Sequence, residues 1–302
     1  MNDFLRIKSI SQLHEMLGYE KPKHPLITII DYSKISKNSE HYDVKIVTDF
    51  YIISLKSPAP KSLQYGRQYY DFEEGTMMFM SPEQVFSVSD FNEQTQFKGW
   101  GLYFHPDLIA NTSLGKKIKE YTFFSYSVSE SLHTSENEIQ ILNDLNNAIE
   151  NEYKSNLDQF SQTVIVTAIE QLLNYSQRFY SRQFLTRKKL NTDFISRFEE
   201  LLSIYFQSKL LTELGLPTVD YFANKLNLSA SYLSDLLKKE TGKTTKEYLQ
   251  IEIMEKAKYK LLNTNNTINE IAYSLGFEYP QYFNRLFKSK TGMTPIEYRN
   301  PN

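Results

Sequence analysis

The hydrophobic pattern of the chain changes character after its first third. Up to that point, short runs rich in β-branched and aromatic residues alternate with Gly and Pro turns, at residues 42–56, 72–89 and 96–105. Runs of this length and composition predict β-strands. Short strands that precede long helices predict an α+β fold, with a small β-barrel or double-sheet jelly roll at the N-terminal end.

Two long helices are predicted after the strands. Residues 135–153 and 158–179 place apolar side chains at intervals of three and four, which is the spacing of one helical face. We expect a symmetric homodimer through the second helix. The alternative is that its apolar face packs against the chain's own barrel. The apolar positions concerned are Val164, Ile165, Ala168, Leu172 and Tyr175.

A unit of about fifty residues occurs twice in the last third of the chain. The sequence LLKKETGKTTKEY at 236–248 returns as LFKSKTGMTPIEY at 286–298. In the first copy, residues 219–226 have the i, i+3, i+4, i+7 spacing of a helix, and a second helix follows after a short break. Gly242 and Gly292 supply the left-handed residue that ends each second helix. A solenoid would need about three repeats, so the pattern predicts two helix-turn-helix motifs instead.

The second helix of each motif carries polar residues on its outward face, which suits DNA recognition. Arginine grips guanine with two hydrogen bonds, glutamine and asparagine pair with adenine, aspartate accepts from cytosine, and lysines meet phosphates. The alternative for each residue is a phosphate contact or no contact. The side chains expected to face inward are Leu233, Leu236, Leu237, Phe283, Leu286 and Phe287. The candidate DNA-binding residues are Ser229, Ser231, Tyr232, Ser234, Asp235, Lys238 and Lys239 in the first motif and Gln281, Tyr282, Asn284, Arg285 and Lys288 in the second.

The residues from Gly276 to Arg299 spell GF-x₄-YF-x-R-x-FK-x₃-G-x-TP-x₂-YR, which resembles the signature of AraC/XylS-type transcription regulators. The resemblance covers residues 203–300 and implies a seven-helix DNA-binding domain in which a long helix joins the two motifs. Residues 245–262 suit that helix, because no Gly or Pro interrupts them. Its length of roughly 27 Å is near the ~34 Å of one duplex turn, so a single chain can place both motifs in successive major grooves.

Regulators of this family commonly carry a cupin-like barrel, and residues 65–86 resemble its turn-and-strand segment. The resemblance implies a cupin-like effector domain at 1–134, a helical segment at 135–190 that ends in a linker at 188–192, and a DNA-binding domain at 191–302. Strand alternation leaves two faces open for an effector pocket, and core packing is the alternative role for each candidate. The candidate pocket residues are Tyr51, Ile53, Met78, Met80 and Phe86.

Composition limits the chemistry that the chain can perform. The absence of cysteine excludes disulfides, thiolate zinc sites and cysteine nucleophiles, and with them the alkyl-transfer repair proteins that share this DNA-binding module. The five histidines form no H-x-H pair, so each is interpreted as a lone surface or loop residue. We therefore expect no bound metal, no cofactor and no catalytic residue.

Charge and hydropathy indicate the partners and the location. The chain has a net charge of −2, but residues 216–302 carry 12 Lys and Arg against 9 Asp and Glu. This asymmetry is mild, so we expect binding to double-stranded DNA to depend more on the lysines on or just after the two recognition helices than on the bulk charge. No run of eighteen apolar residues and no signal-peptide pattern occur in the sequence, so we expect a cytoplasmic protein without a membrane partner.

These features together predict a sequence-specific DNA-binding transcription regulator. The family resemblance implies a small-molecule effector in the barrel, and RNA polymerase as a partner if the protein is an activator. One alternative is a regulator whose barrel binds no small molecule and which answers to a protein partner. An enzyme or a purely structural protein is the third class, and the missing histidine pairs disfavour it.

Overall fold

The chain forms two compact units, Met1–Arg187 and Lys188–Asn302. The computed structural model describes residues 4–35, 45–57, 75–87, 98–155, 158–208 and 210–300. Some predicted features lie outside these stretches. They are His41 and the parts of the strands and of the cupin-like segment at residues 42–44, 65–74, 88–89 and 96–97.

The N-terminal unit contains two β-sheets among its described residues. Their strands are β1 Phe4–Ile7, β2 Ile27–Asp31, β3 Lys45–Thr48, β4 Tyr51–Ser57, β5 Gly75–Met80, β6 Val85–Ser87, β7 Lys98–Phe104 and β8 Leu132–Thr134. One sheet has the order β1-β3-β6 and the other the order β2-β7-β4-β5-β8. Pairing is antiparallel except between β1 and β3. The predicted β-rich start of an α+β fold is confirmed, and its assignment to a cupin-like barrel stays a prediction.

Four helices accompany the sheets in the described part of this unit. They are α1 Ile10–Leu17, α2 Ser113–Lys117, α3 Glu136–Lys154 and α4 Ser161–Thr186. A capping box fixes the start of α3, because Ser135 and Glu138 each accept a hydrogen bond from the other's backbone N–H. Arg182 of α4 donates to both carboxylate oxygens of Glu138, at 3.0 and 2.9 Å, and so ties α4 to α3.

The apolar face predicted for a homodimer is only partly open. Ile165 and Leu172 are buried, so at these positions the alternative of packing within the chain is correct. Val164, in contrast, is 48% exposed. A dimer contact through α4 therefore cannot use the whole predicted face.

The register of the five-stranded sheet divides the candidate pocket residues between its two faces. Side chains alternate between faces along a strand, and paired residues share a face. Met78 pairs with Ser54, the position next to Ile53 in β4, and Met80 shares the face of Met78. Tyr51 shares the face of Ile53. These four candidates therefore lie on two faces, Tyr51 and Ile53 on one and the two methionines on the other, and an effector pocket at either face stays a prediction.

One face of this sheet and the other sheet pack against different parts of the unit. On the face of Ile53, the ring of Tyr51 lies 5.1 Å from that of Phe124. The ring of Phe79 on the same face lies 6.1 Å from that of Tyr180 in α4. Phe86 of the other sheet packs against a separate buried cluster of Ile7, Ile10, Leu13, Ile46 and Phe50. Core packing is thus the observed role of Tyr51, Ile53 and Phe86.

The C-terminal unit is helical throughout its described residues. Its helices are α5 Lys188–Gln207, α6 Leu210–Glu213, α7 Val219–Leu226, α8 Ala230–Thr241, α9 Thr245–Asn263, α10 Ile268–Ser274, α11 Pro280–Thr291 and α12 Pro295–Arg299. The two predicted helix-turn-helix motifs are α7 with α8 and α10 with α11. The predicted joining helix is α9. These parts of the predicted architecture are confirmed.

Local sequence explains where these helices begin and end. Gly242 and Gly292, with φ of 77° and 80°, end α8 and α11 as predicted. At the start of α7, α8, α9, α10 and α12, a hydroxyl accepts from the backbone N–H three residues on. The capping residues are Thr218, Ser229, Thr244, Thr267 and Thr294. One buried cluster, which includes Phe198, Phe222, Ile253 and Phe283, joins α5, both motifs and α9 into a single core.

The predicted linker at residues 188–192 is not an irregular segment. It forms the first turn of α5 and belongs to the C-terminal unit. Within that turn Asn191 is 1% exposed, and its side-chain amide donates to Glu240 of α8 at 3.0 Å. The C-terminal unit thus begins at Lys188, three residues before the boundary at residue 191 that the sequence indicated.

Candidate nucleic-acid interface

The second motif presents its candidate residues on an open face of α11. Phe283 and Phe287 are fully buried, and Leu286, which was also predicted to face inward, is half-buried. The exposed side chains are Gln281, Tyr282, Asn284, Arg285 and Lys288. This division follows the helical period of the sequence, and it leaves a polar face of the size that enters a major groove.

The turn that aims α11 depends on a glycine in a left-handed conformation. Gly276 has a φ of +85°, which disfavours residues with a Cβ. A Cβ there would also meet backbone atoms of Gly215 and Leu211 at less than 3 Å. The turn therefore packs directly on the loop before α7, and this contact sets the direction in which α11 leaves the turn.

Aromatic rings accompany the arginine of the exposed face. The guanidinium carbon of Arg285 lies 5.2 Å from the ring centroid of Tyr282. The ring of Tyr282 meets that of Tyr279 edge to face, with 5.9 Å between centroids. A hydrogen bond to Glu278 raises the pKa of the Tyr279 hydroxyl, which therefore stays neutral near neutral pH. Two rings and a cation thus form a row on the surface of α11.

An open groove of about 750 Å³ borders this row. Its walls come from the loop before α7, from the turn of the second motif and from one side of α11. The residues that line it include Leu214, Leu216, Phe277, Tyr282, Arg285 and Ser289. The groove could not be predicted from the sequence, because no local pattern indicates that the loop at Leu214 approaches the turn at Phe277.

The first motif differs from the second in what its recognition helix exposes. Lys238 and Lys239 are exposed, and Ser231 and Asp235 are half-buried. The hydroxyl of Ser234 donates to that of Thr245 at 3.3 Å. The predicted inward residues Leu233, Leu236 and Leu237 are all fully buried.

Two candidate DNA-binding residues of the first motif have structural roles instead: one caps a helix and the other is buried. The hydroxyl of Ser229 accepts from the backbone N–H of Tyr232 and caps α8, as the sequence also predicted. Tyr232 itself is 4% exposed, so the expectation that its side chain faces DNA is wrong in this structure. Its counterpart in the second copy, Tyr282, is 54% exposed.

Lysines surround both recognition helices on the surface. All are exposed, which suits contacts with phosphates on either side of a major groove. They are Lys238, Lys239, Lys243, Lys246, Lys288 and Lys290. Glu247 lies among them, and hydrogen bonds from Thr244 lower the pKa of this carboxylate, with Lys238 and Lys290 adding to the effect. The positive field of the lysines is therefore partly offset at the start of α9.

The joining helix sets the distance between the two motifs. It contains 19 residues, from Thr245 to Asn263. At ~1.5 Å per residue its length is roughly 28 Å. This length is close to the ~34 Å that separates successive major grooves on one side of a duplex.

The described histidines do not belong to a cluster of metal-binding side chains. Among the described residues, no group of three or more His, Cys, Asp or Glu side chains is placed to hold a metal ion. The interpretation of each histidine as a surface or loop residue is wrong for His14, which is buried and has Nε2 2.7 Å from the hydroxyl of Thr28. It is also wrong for His133, which lies in β8 with 9% exposure.

Hydropathy supplies a separate structural fact. Over the described residues, every helix is too short or too polar to cross a membrane.

Comparison with known proteins identifies the C-terminal unit. A family model described as "Helix-turn-helix domain" matches residues 222–301. The chain is 38% identical over 81 residues to the Msm operon regulatory protein of Streptococcus mutans, covering 27% of this chain and 29% of that protein. It is 37% identical over 84 residues to the xylose operon regulatory protein of Escherichia coli K12, covering 28% of this chain and 21% of that protein.

A solved structure gives a further match. The C-terminal domain of the two-component response regulator yesN from Fusobacterium nucleatum is 36% identical, over 34% of this chain and 97% of that domain, with a TM-score of 0.29. The chain spans less than a third of the length of the two curated relatives. The similarity to each of these named proteins therefore covers about a third of this chain or less.

Proposed function

We propose that this chain, whose C-terminal unit is a tandem helix-turn-helix domain of the AraC/XylS type, regulates transcription by binding specific DNA sequences. The observation that carries the proposal is the repeated motif. The joining helix α9, nearly as long as one duplex turn, connects the motif that contains α8 to the motif that contains α11. The regulators of the msm and xylose operons, to which the chain is similar over 81 and 84 residues, support the proposal.

In the proposed complex, each recognition helix enters one major groove. Arg285 reads guanine, and Gln281 and Asn284 read adenine, because these side chains are exposed on one face of α11. The exposed Lys238 and Lys239 of α8 contact phosphates. Asp235 has a carboxylate that can accept from cytosine and repels phosphate, so it discriminates between sequences more than it adds affinity.

The N-terminal unit is proposed to control this binding through a small-molecule effector. The support for this is the β-rich unit itself, because two-sheet folds commonly enclose small ligands. Met78 and Met80 remain candidates for its wall, because they share the face opposite to Tyr51 and Ile53. The second candidate is a protein partner that binds the unit from outside, and the exposed Val164 favours such a surface.

The remaining parts of the proposal follow from this role. The protein acts in the cytoplasm as a homodimer, contacts RNA polymerase if it is an activator, and catalyses no reaction. We expect no metal or cofactor to take part in DNA binding.

The test of DNA binding uses the full chain and a library of random duplexes. Selection should enrich two short blocks of conserved base pairs about ten base pairs apart. Affinity for the enriched duplex should fall linearly with the logarithm of the salt concentration. Equal recovery of all sequences after repeated selection would contradict sequence-specific recognition. An absence of binding at low salt would contradict the proposed function altogether.

The test of effector control uses the single tryptophan of the chain. Trp100 lies buried in the N-terminal unit, where its Nε1 donates to Asn143 at 2.8 Å, so its fluorescence reports the unfolding of that unit. A metabolite that binds the folded unit should raise the melting temperature seen by Trp100 in the full chain. No shift with any metabolite, together with a shift on adding a protein partner, would favour the second candidate.

A further inference from the structure

Arg285 and Tyr282 lie one helical turn apart on the exposed face of α11. Side chains three residues apart on a helix are neighbours, and here the guanidinium carbon of Arg285 is 5.2 Å from the centre of the Tyr282 ring. This distance lies within the range of an attraction between a cation and the negative face of an aromatic ring. The guanidinium of Arg285 thus lies against the ring of Tyr282.

The ring that holds Arg285 is itself placed by the turn before α11. Tyr282 meets the edge of Tyr279 at 5.9 Å, and Tyr279 is the last residue before the helix. The close approach of Gly276 to Gly215 fixes the position of this turn. Tyr282 is not among the residues of the buried core or those packed against it, and 54% of its surface is exposed. We therefore look for the role of Tyr282 on the surface of the motif and not in its core.

We propose that Tyr282 is a positioning residue for base recognition, which holds the guanidinium of Arg285 in the orientation that grips guanine. The proposal rests on the proposed function of the chain as a sequence-specific DNA-binding protein. An arginine has many rotamers in solution, and two parallel hydrogen bonds to guanine require one orientation. A ring that restricts those rotamers before binding makes the contact tighter and more selective.

The first copy of the motif offers an internal comparison. Its residues at the corresponding positions are Tyr232 and Asp235. A carboxylate is repelled by the negative face of a ring, so this pair cannot form the same contact. The positioning of a base-reading cation by an aromatic ring therefore belongs to the second motif and not to the first.

The test compares Tyr282→Leu with Tyr282→Phe in the full chain. Leucine keeps bulk but has no aromatic face, whereas phenylalanine keeps the face and loses only the hydroxyl. The measured quantity is the ratio of affinities for the selected duplex and for duplexes changed at single base pairs. Tyr282→Leu should lower this ratio roughly 2- to 5-fold at the base pair read by Arg285, as expected for an exposed cation–π contact. Tyr282→Phe should preserve it.

A double-mutant cycle separates positioning from a direct contact with DNA. In the Arg285→Ala background, Tyr282→Leu should have no further effect on base preference, because the group that it positions is absent. Tyr259→Leu is the matched control, since Tyr259 lies on α9 with 67% exposure and outside both recognition helices.

The outcomes distinguish this inference from the proposed function. A loss at a different base pair, or an equal loss with and without Arg285, would show that Tyr282 touches DNA itself and would overturn the positioning role. A loss for Tyr282→Phe as large as that for Tyr282→Leu would also overturn it, because the hydroxyl would then be the active group. If the wild-type chain shows no base preference at all, the proposed function fails first.

Discussion

Gly276 lies so close to Gly215 that a Cβ on Gly276 would stand 2.6 Å from the carbonyl carbon and 2.8 Å from the carbonyl oxygen of Gly215. These are backbone atoms, which cannot move aside as the end of a flexible side chain can. The same carbonyl accepts a hydrogen bond from the hydroxyl of Tyr205 in α5, at 3.1 Å. The pair of glycines therefore connects the turn of the second motif with the beginning of the C-terminal unit.

This relationship predicts a large loss of stability for Gly276→Ala. The variant places a Cβ at a φ of +85° and against the backbone of Gly215, so strain and overpacking add. We expect the free energy of unfolding of the C-terminal unit to fall by about 2–5 kcal/mol. Urea unfolding of the full chain, followed by far-UV circular dichroism, measures it.

Gly242→Ala is the matched control for that prediction. Gly242 has a similar φ of +77°, but a Cβ there meets nothing within 4 Å. Only the conformational strain remains, so the expected loss is about 1–2 kcal/mol. The unfolding of the N-terminal unit, reported by the fluorescence of Trp100, should be the same in both variants. Equal losses for Gly276→Ala and Gly242→Ala would show that the contact with Gly215 does not constrain the turn.

Lysine and arginine variants should have different effects on DNA binding. Lys239→Ala should weaken binding to all duplexes alike and reduce the salt slope by about one unit, because a phosphate contact releases counterions but reads no base. Arg285→Ala should cost about 1–3 kcal/mol and relax the preference at one base pair. Fluorescence anisotropy with the selected duplex and a scrambled duplex, over a series of salt concentrations, measures both quantities. An equal loss on the two duplexes for Arg285→Ala would identify it as a phosphate anchor.

Acid should destabilise the C-terminal unit through its helix caps. Hydrogen bonds from Thr244, Thr267 and Thr294 lower the pKa of Glu247, Glu270 and Glu297 from the ordinary value of a glutamate. A carboxyl group with a lowered pKa in the folded state stabilises the fold above its unfolded pKa, and this contribution is lost as pH falls through the folded value. Stability should therefore fall from about pH 5 downwards.

Replacement of the three capping glutamates by glutamine tests the acid dependence. Glutamine keeps the hydrogen-bonded capping box but does not titrate. The triple variant should lose less stability than the wild type between about pH 6 and about pH 3 in urea unfolding followed by circular dichroism. Parallel losses in the two proteins would assign the acid sensitivity to other groups.

The helices of the C-terminal unit could be predicted because their signals are local. The end of α8 follows from Gly242, and the length of α9 follows from an uninterrupted run of helix-forming residues. Which side of α11 is exposed follows from the helical period, since Phe283 and Phe287 are buried as expected. Each of these three features depends on residues within one or two helical turns of the position concerned.

Features that depend on distant contacts could not be predicted in the same way. Strand alternation in β4 divides its residues between two faces, but it does not show which residues of β5 share each face. Only the register between β4 and β5 places Ile53 and Met78 on opposite faces. The burial of His14 depends on Thr28 in a neighbouring strand. The contact between Gly215 and Gly276 depends on a loop and a turn that are far apart in the sequence.

Dimerisation should depend on the part of α4 that remains exposed. Phe160 and Val164, one turn apart, are 62% and 48% exposed, whereas Ile165 is buried in the unit. Exposed apolar residues one turn apart on a helix form the kind of patch that a second copy covers in a symmetric dimer. We therefore expect the full chain to sediment as a dimer, and Val164→Asp to shift it towards the monomer, because the new carboxylate would be buried at the contact.

Gln177→Asp is the matched control for this prediction. It places the same charge on an exposed position of α4, but on a different side of the helix from Val164. Sedimentation velocity over a range of micromolar concentrations should show a dimer for the wild type and for Gln177→Asp. A monomer for the wild type, or the same shift for both variants, would contradict a dimer through Val164. DNA binding would then rest on one chain with its two motifs, which the length of α9 already permits.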